Sequence, residues 1–208
     1  MPGETNWTAT KISADAANKF QIDAGLLLNK FNVKSPNEPA DADIICETTG
    51  DYNIKAVPET KDFFEDVNNA STGYMEGMEI VKWDCTLSVT SISVTEETIM
   101  LALGAAEGTA TEGISPRDHY EEKDFKGLYW IGDMKDSTKL LVVEMTHAIS
   151  TGGLEFSSTN KEKGKLALNF KAVGSLKDKK KIPMNFYILT KGEALSPAAA
   201  ASVTEETM

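Results

Sequence analysis

The sequence is poor in the residues that do chemistry at neutral pH. It has two histidines, His119 and His147, and two cysteines, Cys46 and Cys85. A structural zinc site needs four Cys or His ligands at short spacings, and a secreted disulfide framework needs dense, paired cysteines. Neither pattern is present. Each cysteine lies inside a strand-like segment, which favours buried free thiols and a reducing compartment. No uncharged apolar run approaches the ~18 residues of a membrane-spanning helix. The N-terminus also lacks the basic, apolar and cleavage regions of a signal peptide. A membrane partner is therefore not expected.

Positive charge is scarce as well, and unevenly so. The formal net charge is −11. Residues 1–104 hold 7 basic and 17 acidic side chains, net −10, whereas residues 105–208 hold 14 and 15, net −1. Tight wrapping of nucleic acid needs many Lys or Arg at phosphates, so that function class is disfavoured, although loose passage of DNA along an acidic wall is not. Self-repulsion in the first half favours soluble free subunits.

Candidate chemical sites dissolve on inspection. His147 follows Glu144, Met145 and Thr146 in a strand-like segment, with no nucleophile and orienting acid in a recognisable set. His119 follows Arg117 and Asp118 and reads as a polar loop position. Asp62, Glu65, Asp66, Glu76 and Glu79 could attract a divalent cation, but the spacing and central glycine of a calcium loop are missing; a solvated acidic loop is the simpler reading. Gly104, Gly108 and Gly113 lack the preceding strand and following lysine of a phosphate loop. The chain is read as a non-enzyme with no catalytic, cofactor-binding or metal-binding residues.

What is present is β patterning. In 80–92, Val81, Trp83, Cys85, Leu87 and Val89 alternate with Lys82, Asp84, Thr86, Ser88 and Thr90, which predicts a strand with the first set in the core. Residues 43–58 read as a hairpin, with Thr49, Gly50 and Asp51 as its turn. Phe20 to Phe31 predict a first strand or strand pair near Gly25. Leu128–Ile131 and Leu140–Ile149 form a further pair, as do Leu154–Ser158 and Lys165–Val173. A last strand covers 182–190, with Ile182, Met184, Phe186 and Ile188 on one face. A helix is predicted over 96–104: Thr95 caps it, Val94 and Ile99 occupy staple positions, Glu96 and Glu97 suit the helix dipole, Ile99, Met100 and Leu103 form its apolar stripe, and Gly104 stops it. Long loops are expected at 59–79 and 104–124.

These elements imply a mainly β fold of two packed antiparallel sheets with one flanking α-helix and long loops. Residues 1–18 form an N-terminal arm, 19–191 the β-sandwich domain, and 192–208 a loose C-terminal tail. In that tail Ser202–Thr207 repeats the sequence Ser93–Thr98 with no apolar run after it. The basic cluster Lys177, Lys179, Lys180 and Lys181 suits an acidic patch on another subunit, a solvated turn, or nucleic acid. Trp7, Phe63, Phe64, Lys179 and Lys180 are candidate inter-subunit contacts, because an aromatic that cannot be buried locally often anchors an interface. Tyr129 and Trp130 fit either the core or an interface.

Several stretches resemble the tail tube proteins of long-tailed bacteriophages and related prophages. They are Asp23-Ala24-Gly25-Leu26-Leu27-Leu28, Asp43-Ile44-Ile45-Cys46-Glu47-Thr48-Thr49-Gly50, Trp83-Asp84-Cys85 with Leu87 and Val89, and Leu101-Ala102-Leu103-Gly104-Ala105-Ala106. Asp124-Phe125, Tyr129-Trp130-Ile131-Gly132-Asp133 and Ala148-Ile149-Ser150-Thr151-Gly152-Gly153 continue the series, which spans roughly 20–175. The resemblance implies a virion tail protein assembled in the bacterial cytoplasm. It implies six-membered rings that stack through loops and arms around a lumen that first holds a tape measure protein and later passes double-stranded DNA. Tail terminator and distal tail proteins would be its other partners. The alternatives are a tail completion or adaptor protein, and a non-catalytic β-sandwich binding module. The latter would carry an export signal and more disulfides.

Overall fold

The computed structural model describes residues 21–65, 73–135, 138–157, 164–178 and 182–193. The N-terminal arm with Trp7, the C-terminal tail from residue 194, and Lys179, Lys180 and Lys181 lie outside the described residues.

Among the described residues the fold is mainly β and antiparallel, with one α-helix, as the patterning predicts. Ten strands run β1 (Gln21–Leu28), β2 (Ile44–Asp62), β3 (Met78–Ser91), β4 (Ala106–Thr109), β5 (Gly113–Pro116), β6 (Lys126–Met134), β7 (Lys139–Ser150), β8 (Glu155–Ser157), β9 (Lys165–Ala172) and β10 (Met184–Thr190); helix α1 (Glu96–Leu103) follows β3. Eight strands form one sheet in the order β10-β7-β6-β1-β2-β3-β9-β8, and β7 also pairs with β9. That extra pairing closes six strands into a ring. One edge of β7 is shared: Lys139–Met145 pair with β10, and Ala148–Ser150 with β9. The packed layers expected from the sequence are thus sides of one sheet rolled on itself.

The enclosed space is filled. Trp130, Phe170, Leu27, Leu87, Leu128, Met145, Leu166 and Leu168 are buried there, and Leu101 and Ala102 of α1 join the same cluster. A second cluster lies on the other face of β1, β6, β7 and β10, where Leu28, Ile131, Val142 and Leu189 meet Phe31 and Val33 of the segment after β1. Neighbouring residues such as Leu27 and Leu28, or Val142 and Val143, therefore bury on opposite faces. This explains why these strands read as apolar runs and not as clean alternation.

Gly25 and Thr48 set the approach of β1, β2 and β6. A Cβ at Gly25 would lie 2.4 Å from the Ile131 carbonyl and 2.7 Å from Trp130 Cε2, so only glycine fits beside the indole. The buried Thr48 hydroxyl donates to the Gly25 carbonyl (2.9 Å) and accepts from the Gly25 amide (3.1 Å) and from Trp130 Nε1 (3.3 Å). Tyr52 packs on the same indole at 4.6 Å between centroids. Trp130 is thereby assigned to the core and Tyr129 to its half-buried outer margin.

Four sequence expectations are corrected. Residues 43–58 are not a hairpin but part of the single 19-residue strand β2. The register passes from Thr48↔Ser91 to Tyr52↔Val89, so Thr49, Gly50 and Asp51 form a bulge where a turn was predicted; turns and bulges draw on the same permissive residues. The long loops are shorter than predicted: β2 and β3 run on through residues 59–62 and 78–79, and 104–124 contains the β4–β5 hairpin. Helix α1 buries Thr98, Leu101 and Ala102, while Ile99, Met100 and Leu103 remain partly exposed. The stop at Gly104 (φ 76°) and the Thr95 cap are as predicted, with Thr98 completing a reciprocal capping box: the Thr98 amide donates to Thr95 Oγ1 (3.2 Å) and the Thr95 amide to Thr98 Oγ1 (2.8 Å). In β10, Met184 is buried, but Phe186 and Ile188 are 51% and 65% exposed.

Candidate assembly surface

The residues capable of chemistry serve as internal fasteners. Both cysteines are buried and free, and burial pushes the Cys46 thiol up to about 11. Glu144 on β7 accepts hydrogen bonds from Tyr129 Oη (2.9 Å), Asn185 Nδ2 (3.0 Å) and Tyr187 Oη (2.8 Å), which ties β6, β7 and β10 together. Burial and then the adjacent carboxylate push the Tyr129 hydroxyl up to about 12. Arg117, almost fully buried, makes a two-oxygen ion pair with Asp124 (2.6 and 2.7 Å) and a second contact with Glu121 (2.6 Å), pinning the turn before β6. His119 is exposed beside Asp118, and His147 is half-buried in β7. Among the described residues no three His, Cys, Asp or Glu side chains group closely enough to hold a metal ion.

The surface that stands out is the distal part of the β2–β3 hairpin. Thr86–Ser91 of β3 pair with both β2 and β9, but Met78–Cys85 pair with β2 alone among the described residues. Residues Ala56–Asp62 of β2 and their partners therefore form a two-stranded ribbon, about 23 Å long at ~3.3 Å per residue. The change from Glu59↔Lys82 to Thr60↔Ile80 leaves Val81 as a bulge. The bulge reverses the parity of β3, so Ile80 and Met78, in place of Val81, continue the face of Trp83 and Cys85. Cys85, Leu87 and Val89 are buried as predicted; Val81, predicted in the core, is 59% exposed because the ribbon has left the barrel behind.

This ribbon carries large apolar side chains that nothing in the described fold covers. Val57, Met78, Ile80 and Val81 on its strands, with Phe63, Tyr74 and Met75 near its tip, are 46–81% exposed. At ~150–200 Å² per large side chain, their exposed area, spread over the two faces and the tip, is roughly 600 Å². Val57, opposite Asp84, shares its face with a Lys82–Glu59 ion pair at 2.8 Å and a Lys171–Asp84 pair at 2.6 Å that anchors the ribbon base to β9.

The ribbon tip is built, not frayed. The Asp62 carboxylate accepts the backbone amides of Gly73 (2.7 Å) and Phe64 (2.9 Å). Those two bonds, Gly73 first, hold its carboxyl below the usual range. Phe64 stacks edge-on against Tyr74 at 6.4 Å, above Gly77, where a Cβ would come within 2.4 Å of the Phe64 ring. Phe63 is left outward, with the Lys61 ammonium 5.3 Å from its ring centroid. Of the interface residues chosen from sequence, Phe63 and Phe64 thus lie together at this tip, while Trp7, Lys179 and Lys180 fall outside the described residues. Sequence reasoning missed Ile80, Val81, Phe186 and Ile188, because alternation identifies a face but not whether anything covers it.

No protein-family model and no curated protein matches the sequence.

Proposed function

We propose that this chain is the structural subunit of a phage tail tube, associating with copies of itself into stacked six-membered rings whose shared lumen conducts double-stranded DNA. The observation that carries the self-association is the β2–β3 ribbon. An isolated two-stranded ribbon is marginal in water, and this one leaves large apolar side chains uncovered on its strands and at its tip. The exposed apolar side of β10, an edge strand among the described residues, adds a second uncovered surface. The tail tube identity comes from the sequence resemblance.

The packed barrel also bears on where a conduit could lie. Its interior is occupied by Trp130, Phe170 and the leucines around them, so a channel would have to form between copies and not through one. The net charge of −11 suits a wall that passes a polyanion without holding it. The tape measure, terminator and distal tail proteins are the partners this reading implies.

Negative-stain electron microscopy of the concentrated protein, with size-exclusion scattering on the same sample, tests it. Rings or tubes with a channel of about 20 Å or more, wide enough for B-form DNA, are the expected result. A particle that stays monomeric at every concentration would overturn it.

A further inference from the structure

A cleft of about 250 Å³ opens between α1, the start of β4 and the adjoining ends of β6 and β7. Met100, Leu101, Ala106 and Ala148 give it apolar walls. The two alanines are small, and Gly104, whose φ of 76° turns the chain out of α1, adds no side chain, so the space stays unfilled. Ser150, the buried polar group in the wall, already donates to the Ala102 carbonyl (2.5 Å) and makes no demand for a bound water. Three charged side chains line the mouth, and two are engaged. Asp124 accepts two hydrogen bonds from Arg117, and Lys123 pairs with Glu121 at 2.6 Å. Lys126 is exposed and makes no ion pair with any described residue. It stands directly opposite Ala148 across the β6–β7 ladder, and opposed residues project from the same face. Ala148 belongs to the interior cluster of the barrel. The lysine stem therefore rises along the apolar wall, and its ammonium ends in water at the mouth of the cleft.

We infer that this cleft binds a small amphipathic anion, an unbranched monocarboxylate of about six to eight carbons. The tail lies against Met100, Leu101, Ala106 and Ala148, and the carboxylate meets the Lys126 ammonium. The volume sets the length: benzene enters an apolar cavity of ~150 Å³, and 250 Å³ admits a somewhat longer apolar body. The charge sets the head. One free ammonium matches a single negative charge, whereas a polyphosphate needs several donors converging on it. The site lies on the barrel body and not on the β2–β3 ribbon, so it is independent of the assembly reading above.

The test titrates octanoate into the isotope-labelled full chain and follows it by NMR. The Ala106 and Ala148 methyl resonances and the Lys126 amide are expected to shift and to saturate. Affinity is expected to rise about fourfold per added methylene from pentanoate to octanoate, and to level off with longer tails that the cleft cannot cover. Lys126→Gln is expected to weaken octanoate about threefold, the worth of an exposed ion pair, and to leave octanol, its neutral counterpart, unchanged. Met100→Glu, at a partly exposed helix position, sets an acid in the wall and should abolish octanoate binding without changing the melting temperature. Shifts that fail to saturate by about 10 mM, or that centre on Ile80 and Val81 of the ribbon, would overturn the inference. Octanoate binding that Lys126→Gln leaves intact, or a loss that octanol shares, would overturn it too. The tail-length series needs only the wild type, so a variant that fails to fold leaves the test standing.

Discussion

Strand β3 spends one half in a barrel wall and the other in a bare ribbon, and its two halves have similar sequences. Cys85, Leu87 and Val89 are almost fully buried; Met78, Ile80 and Val81 are 46–59% exposed. Both halves have β-branched residues that suit a strand, Ile80 and Val81 in one and Thr86, Val89 and Thr90 in the other. The difference lies in what is hydrogen-bonded alongside: β9 flanks only Thr86–Ser91. Apolar content therefore sets that a segment extends, and the neighbouring strand sets whether it is covered. In this molecule the uncovered half is the part we propose meets other chains.

The contrast can be broken most severely in the wall. Trp130→Ala should cost about 3–5 kcal/mol, read as a fall in the denaturant midpoint at constant slope. Ile80→Ala in the ribbon should move the same midpoint by less than about 0.5 kcal/mol. A similar cost at both positions would mean that the ribbon is packed onto the body after all.

A subtler version uses two glycines with the same clearance. A Cβ at Gly25 meets the Ile131 backbone at 2.4 Å, and one at Gly77 meets the Phe64 ring at 2.4 Å. Gly25→Ala forces backbone apart inside the barrel and should destabilise the whole fold by about 1–3 kcal/mol. Gly77→Ala should leave global stability unchanged and speed hydrogen exchange at the Phe63 amide, which donates to the Gly77 carbonyl. Global unfolding by Gly77→Ala would contradict the independence of the tip.

Thr95→Ala removes one half of the capping box and should cost about 1 kcal/mol of stability, with loss of amide protection confined to the first turn of α1. The smallest effect concerns acid. The Asp62 carboxyl is held below its ordinary range by the Gly73 and Phe64 amides, so its contribution is present above the unfolded Asp pKa near 3.9 and is lost as pH falls through the lower folded value. Amide exchange at Gly73 and Phe64, corrected for its intrinsic pH dependence, should show constant protection from pH 7 to about 5 and declining protection below about 4. Asp62→Asn should abolish that pH dependence, and its persistence would assign it elsewhere.

Much of the barrel could be read from the sequence. The alternation of Leu166, Leu168 and Phe170, the Thr95 cap and the Gly104 stop all correspond to local physics, and all are where the pattern puts them. The errors arise where local and distant demands use the same residues. Thr49-Gly50-Asp51 carries the signature of a turn, but a strand that changes partners needs the same backbone freedom. Val81 breaks parity because a bulge is invisible to a period of two. Helix α1 turns Thr98 inward because the hydroxyl that completes the cap also lies beneath it, and Leu101 and Ala102 follow one turn later. As for the site, the aromatic pair Phe63–Phe64 was legible as an apolar island in an acidic stretch. Phe186 and Ile188 were not, since an edge strand and a covered strand share one pattern.

The bulge at Thr49–Asp51 has a mechanical consequence. Upstream of it, β2 is stitched to β1 through Leu26↔Glu47 and Leu27↔Cys46; downstream, the same strand becomes one rail of the ribbon. No hinge loop separates the two, so a pull on the ribbon tip runs along unbroken strand into the wall and is resisted by many ladder bonds loaded together in shear. The projection is a girder rooted in the body, and copies joined through it would transmit strain from one to the next as a stiff chain.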